Sequence, residues 1–166
     1  MKNIIIELKW AIIFTIMFLA WMLLEKTLGW HDEKIANHGW LTLFYIPFAV
    51  LLTVLAIREK RRRFYNGTIT WIQAFKSGVL LSLFVGVLSP LAQYITFNFI
   101  TPEYFVNVKN YSVTNQLVTI EAANEIFNIN NYMLQAAIGV FIGGVLTTAI
   151  VAIFAQRKRP NATKTK

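Results

Sequence analysis

Four long windows of the chain carry mostly apolar side chains and no charge, at positions 10–24, 39–57, 77–102 and 132–155. A hydrocarbon core is crossed by roughly 20 apolar residues rising about 1.5 Å each. The last three windows reach or approach that length. The first reaches it when Ile4, Ile5, Ile6 and Leu8 are added, with Lys9 carrying its ammonium out to the headgroups on an apolar stem. The pattern predicts helices at about 4–27, 39–57, 70–99 and 132–156. The expected fold class is all-α: a polytopic membrane protein built as a four-transmembrane-helix bundle, forming a single domain over 1–159 with a disordered tail at 160–166.

Boundary signals refine this picture. Asn66-Gly67 supplies a turn, and Thr70-Trp71-Ile72-Gln73 fits a capping box, in which Thr accepts from a first-turn N–H and Gln reaches back. The third helix is therefore expected to begin near Thr70, before the bilayer core. Gln156-Arg157-Lys158-Arg159-Pro160 closes the fourth with cations at the helix C-terminus and a proline stop. Between these helices the segment 101–131 is expected to be part-helical. Thr101-Pro102-Glu103 reads as a helix start. Leu117, Ile120, Ala123 and Phe127 share one helical face, with Glu121 and Glu125 off it, and that face is expected to cap the bundle. No repeat of fixed period stands out.

Composition agrees, since 56% of the 166 residues are hydrophobic, too many for an ordinary soluble domain. The formal net charge of +8 changes meaning once the cations are placed. All but three of the 16 Lys and Arg residues lie on one side: Lys2 and Lys9 near the N-terminus, Arg58 to Arg63 and Lys76 around the second connection, and the rest after the fourth helix; the exceptions are Lys26, Lys34 and Lys109. Basic residues are retained in the cytoplasm, so both termini are expected there and the 101–131 segment in the periplasm. Met1-Lys2-Asn3 before an apolar run imitates a signal peptide. However, Glu25-Lys26-Thr27-Leu28-Gly29 offers no small-x-small cleavage site, so the first run is expected to remain a helix. The chain has no cysteine, which removes disulfides, thiolate metal sites and cysteine nucleophiles.

Chemistry-bearing positions are few. Gly78, Ser82, Gly86, Ser89, Gln93 and Thr96 follow spacings of 4, 4, 3, 4 and 3, a narrow stripe on the third helix. Gln135, Ala136, Gly139, Gly143 and Thr147 on the fourth are expected to answer it, with Gly139-x-x-x-Gly143 allowing close backbone approach. This seam is read first as helix packing and second as a polar pathway. Pro47 and Pro90 suit either reading. No Asp, Glu, His, Lys or Arg falls in the middle of a span, which weighs against proton-coupled transport. Arg58, Lys60, Arg61, Arg62 and Arg63 form a juxtamembrane basic run, expected to fix topology and to offer an anionic-lipid contact. A run pinned to the lipid surface argues against nucleic acid as a partner. His31-Asp32-Glu33 and His38 match no metal-ligand spacing and are expected to be solvated loop residues, so no metal or other cofactor is expected. No catalytic motif is found, and an enzyme is not expected.

The basic run Arg58 to Arg63, the lead-in Gly67-Thr68-Ile69-Thr70-Trp71-Ile72-Gln73-Ala74-Phe75-Lys76-Ser77-Gly78 and the ending Arg157-Lys158-Arg159 give a likeness. With them the chain resembles a Bacteroidetes family of uncharacterised membrane proteins, domain of unknown function 4199. The resemblance implies a bacterial inner membrane and supplies no catalytic residue, cofactor or substrate. The expected function is a non-enzymatic interaction or assembly module, whose partners are membrane lipid and a second copy or another membrane protein. The alternative is a small-solute transporter or channel subunit using the stripe of the third helix.

Overall fold

The computed structural model describes residues 4–157, and the expected tail at 160–166 lies outside them. Among these residues the fold is all-helical, with four stretches long and apolar enough to cross a membrane: Ile5–Thr27, Ile35–Arg63, Trp71–Ile100 and Ile129–Ala155. Helix α1 covers Ile5–Thr27 without a break. The second span differs from the single helix expected at 39–57. It begins as a 3-10 turn at Ile35–Asn37, continues through the short α2, His38–Leu41, and a second 3-10 turn at Thr42–Tyr45, and only then becomes α3, Ile46–Arg63. Pro47 explains the order: it sits in the first turn of α3, where its missing N–H has no partner to lose. The basic run forms the last turns of α3, where cations meet the negative end of the helix.

Asn66 and Gly67 both take positive φ, 51° and 87°, and turn the chain into α4, Trp71–Ile95. Thr70 and Gln73 form the capping box, with Gln73 N–H donating to Thr70 Oγ1 at 3.3 Å and Thr70 N–H to Gln73 Oε1 at 2.9 Å. Pro90 lies inside α4, and a π turn at Thr96–Ile100 ends the span. The connecting segment contains α5, Tyr104–Thr114, and α6, Ile120–Ile126, the latter capped by Thr119. Its expected capping face is divided: Ala123 is buried, whereas Leu117 and Ile120 are exposed. Helix α7, Ile129–Ala155, starts at Asn128, whose side chain accepts from Asn131 N–H.

Helix α4 packs most extensively on α7 and next on α1, while α3 closes the ring between α1 and α7. Two apolar clusters hold this arrangement. Ile57, Ile69, Ala74, Val151, Ala152 and Ala155 join α3, α4 and α7 at the end bearing the basic run. Ala11, Phe14, Ala56 and Leu81 join α1, α3 and α4. An isolated antiparallel bridge between Ile69 and Arg157 ties the chain before α4 to the end of α7. Ile138, Ile142, Leu146, Ile150 and Phe154 of α7 are exposed, as an outer surface solvated by hydrocarbon requires.

Candidate functional site

The chain gathers its buried ionisable groups at the two ends of the bundle. At the C-terminal end of α1, Glu25 is 0% exposed. Gly29, at φ +74°, reverses the chain immediately after the helix, and Trp30 N–H donates back to the Glu25 carbonyl at 3.0 Å. This turn folds His31 beneath the helix end, 2% exposed, with Nε2 3.0 Å from Glu25 Oε2. His38, the first residue of α2, places Nδ1 3.7 Å from the same oxygen. The indole of Trp21, one turn earlier on α1, donates to Glu25 Oε1. Asn107 on α5 donates to the His31 carbonyl at 3.1 Å and fixes the loop.

Tyr104 forms the roof, its ring edge-on to both imidazoles at 5.3 Å, with the two imidazoles 5.0 Å apart. Its hydroxyl lies 3.4 Å from that of Tyr132. Burial pushes the Tyr104 phenol well above the ordinary tyrosine range, with Tyr132 adding to the effect. It therefore stays a neutral hydroxyl at working pH. Nδ1 of His31 and Nδ1 of His38 are both sealed from solvent without a hydrogen-bond partner. The expectation of solvated loop histidines fails here. Nothing in their sequence spacing reveals the site, because its third member is a helix residue and the reversal at Gly29 supplies the approach.

At the opposite end, Glu7 of α1 and Lys60 of α3 are 2% and 4% exposed. The Lys60 ammonium lies 2.8 Å from Glu7 Oε1, and Ser77 of α4 donates its hydroxyl to the same oxygen. Lys60 thus leaves the group of expected lipid contacts: its position on α3 turns it inward, where a carboxylate compensates its burial. Arg61 also turns in and donates to the Ala155 carbonyl at the end of α7, at 3.0 Å. Arg58, Arg62 and Arg63 remain exposed.

Between these ends lies a cavity of about 330 Å³ bounded by α1, α3, α4 and α7. Its wall is largely apolar, including Phe14, Phe18, Ala49, Val85 and Val140, with Ser82, Ser89, Gln93 and Thr147 among the polar members. The hydroxyls of Ser82 and Ser89 donate to their own helix, to the Gly78 and Gly86 carbonyls. Gln93 Oε1 is buried and unpartnered.

The stripe of α4 is buried at Gly78, Ser82, Gly86 and Ser89 and faces α7. Its expected counterpart is not the row that meets it. A Cβ at Gly78 would stand against Thr148, one at Gly86 against the Ala137 carbonyl and Phe141, and one at Gly144 against Ser82. The contacting row of α7 is thus Ala137, Phe141, Gly144 and Thr148. Gln135, Gly139 and Gly143 are exposed instead, and no other group among the described residues, α7's own backbone aside, comes within 4 Å of a Cβ built at either of these glycines. The reason is angular, since neighbouring helix positions differ by about 100° and closest approach falls on Gly144 rather than Gly143.

An all-helical bundle with apolar outer faces on four long helices defines the class as a polytopic membrane protein. The chain belongs to the family described as "protein of unknown function (DUF4199)", whose sequence model matches residues 9–157. No curated protein and no solved structure matches the chain.

Proposed function

We propose that the chain is a non-enzymatic assembly module of a bacterial inner membrane, with both termini in the cytoplasm and the 101–131 segment in the periplasm. One observation carries the reading: Gly139 and Gly143 sit on an apolar helix with open space where side chains would stand. Apolar surface alone gives helices no reason to associate in lipid. A small-x-x-x-small row does, by letting backbones approach, and Gln135 on the same exposed row adds a hydrogen-bonding group. The partner is a second copy of the chain. The distribution of Lys and Arg supports the orientation, and lipid covers the remaining apolar faces.

A second reading, a small-solute transporter or channel subunit, is favoured by the cavity and by Ser82, Ser89 and Gln93 in its wall. One pair of variants separates the two. A Cβ at Gly139 or at Gly143 meets no other group within 4 Å among the described residues, so Gly139→Leu and Gly143→Leu both start into open space, but only Gly143 borders the cavity. Native mass spectrometry from mild detergent is expected to show an oligomer for the wild type and monomers for both variants. If oligomers persist in both, the assembly reading fails. If only Gly143→Leu acts, and it acts by abolishing solute flux in vesicles, the cavity is the working part. For orientation, single cysteines placed at Lys34 and Asn66 in this cysteine-free chain are expected to differ. A membrane-impermeant thiol reagent added outside spheroplasts should label the first and spare the second.

A further inference from the structure

We infer that Glu25, His31 and His38 form a binding site for a divalent transition-metal cation of the zinc type. The donor set is two imidazoles and one carboxylate, ligands that suit zinc and leave one coordination position open. One donor atom from each of the three residues lies within 4.8 Å of the others. Zinc–nitrogen bonds of about 2.0–2.1 Å place neighbouring ligands of a tetrahedron about 3.3–3.4 Å apart. Glu25 Oε2 is 3.0 Å from His31 Nε2 and 3.7 Å from His38 Nδ1, on either side of that spacing, so small side-chain rotations bring both into range.

Two further observations point to a ligand. His38 Nδ1 faces the carboxylate from too far to hydrogen-bond, yet it is sealed from solvent and finds no other partner. An orphaned buried nitrogen of this kind calls for an explanation, and a cation between it and Glu25 provides one. Charge is the other observation. The buried Glu7 has an ammonium within 2.8 Å, whereas the ion-pair partners of Glu25 among the described residues are the two histidines. A divalent cation between them would let the buried carboxylate keep its charge. The surroundings fit as well: Trp21 orients the carboxylate through its second oxygen, and Asn107 holds the His31 backbone, the supporting bonds that keep metal ligands in place. Coordination through His31 Nε2 would require the tautomer that carries its proton on Nδ1. The bound cation would staple the end of α1 to the start of α2, and this role is independent of how α7 pairs with a second copy.

The test uses the full chain in detergent, stripped with a chelator and titrated with Zn²⁺ by calorimetry and with Co²⁺ by visible absorption. One equivalent is expected to bind. Glu25→Gln, His31→Ala and His38→Gln should each weaken binding by more than about tenfold, and Trp21→Phe by about tenfold. Asp32→Asn, an exposed neighbour, should bind as the wild type does. Zn²⁺ should raise the Tm of the wild type and leave that of the His38 variant unchanged. Should Glu25→Gln fail to fold, the half-buried His38 still decides the matter. Wild-type binding that is absent, or no tighter than in folded His38→Gln, would overturn the site and leave a carboxylate–imidazole cluster only.

Discussion

Replacing Lys60 with Met is expected to destabilise the folded chain by roughly 3–5 kcal/mol, among the largest effects of any single substitution in it. The magnitude comes from what remains behind. Lys60 and Glu7 are buried together, and removing the ammonium leaves a buried carboxylate that has the Ser77 hydroxyl but no longer its cation. Glu7→Gln leaves the complementary problem, a buried cation without its carboxylate. The double variant Glu7→Gln/Lys60→Met removes both charges and should recover most of the loss, because the desolvation of two ions disappears with their attraction. A thermodynamic cycle from reversible denaturant unfolding in micelles measures the coupling. Losses that simply add would show that the pair contributes nothing as a pair. The geometry also predicts where the damage spreads. Glu7, Lys60 and Ser77 lie on α1, α3 and α4, so the site joins three of the four long helices at one end of the bundle.

This pair illustrates what the sequence conceals. Apolar windows reveal four spans because chain length and hydrocarbon thickness are both fixed, and Thr70 with Gln73 marks one helix start because a capping box is local. Glu7, Lys60 and Ser77 are far apart in the chain, and a basic run beside a membrane reads as a uniform positive surface. The helix alone decides that Lys60 and Arg61 turn inward while Arg58, Arg62 and Arg63 stay out. The site at the end opposite the basic run is hidden for a similar reason. His31 and His38 look like loop residues until the left-handed Gly29 folds one of them back under Glu25. Pro47 was legible as a helix disturbance, but its placement in the first turn of α3, after two 3-10 turns, depends on the whole path from Ile35.

The seam between α4 and α7 yields the second large effect. Gly78→Ala is expected to cost about 1–3 kcal/mol, at the upper end or beyond, although it adds only one methyl group. That methyl would stand 2.0 Å from Thr148 Cγ2 and 2.8 Å from its Cβ, a β-branched side chain with little freedom to retreat. Gly144→Ala meets Ser82 at 2.4 Å from Oγ and 2.8 Å from Cβ, so either change must move one helix away from the other. Gly139→Ala, on the same helix as Gly144, meets nothing and should be neutral or slightly stabilising within the monomer, since alanine is the better helix former. Thermal unfolding of the three variants, in detergent at dilutions where native mass spectrometry shows monomers, therefore reads the rotation of α7. Large losses for Gly78 and Gly144 with none for Gly139 place the contact row on Ala137, Phe141, Gly144 and Thr148. The reverse order would restore Gly139 and Gly143 to the seam within the monomer. It would also remove the open glycine face on which assembly with a second copy depends, so a stability measurement on one chain tests the reading of the oligomer.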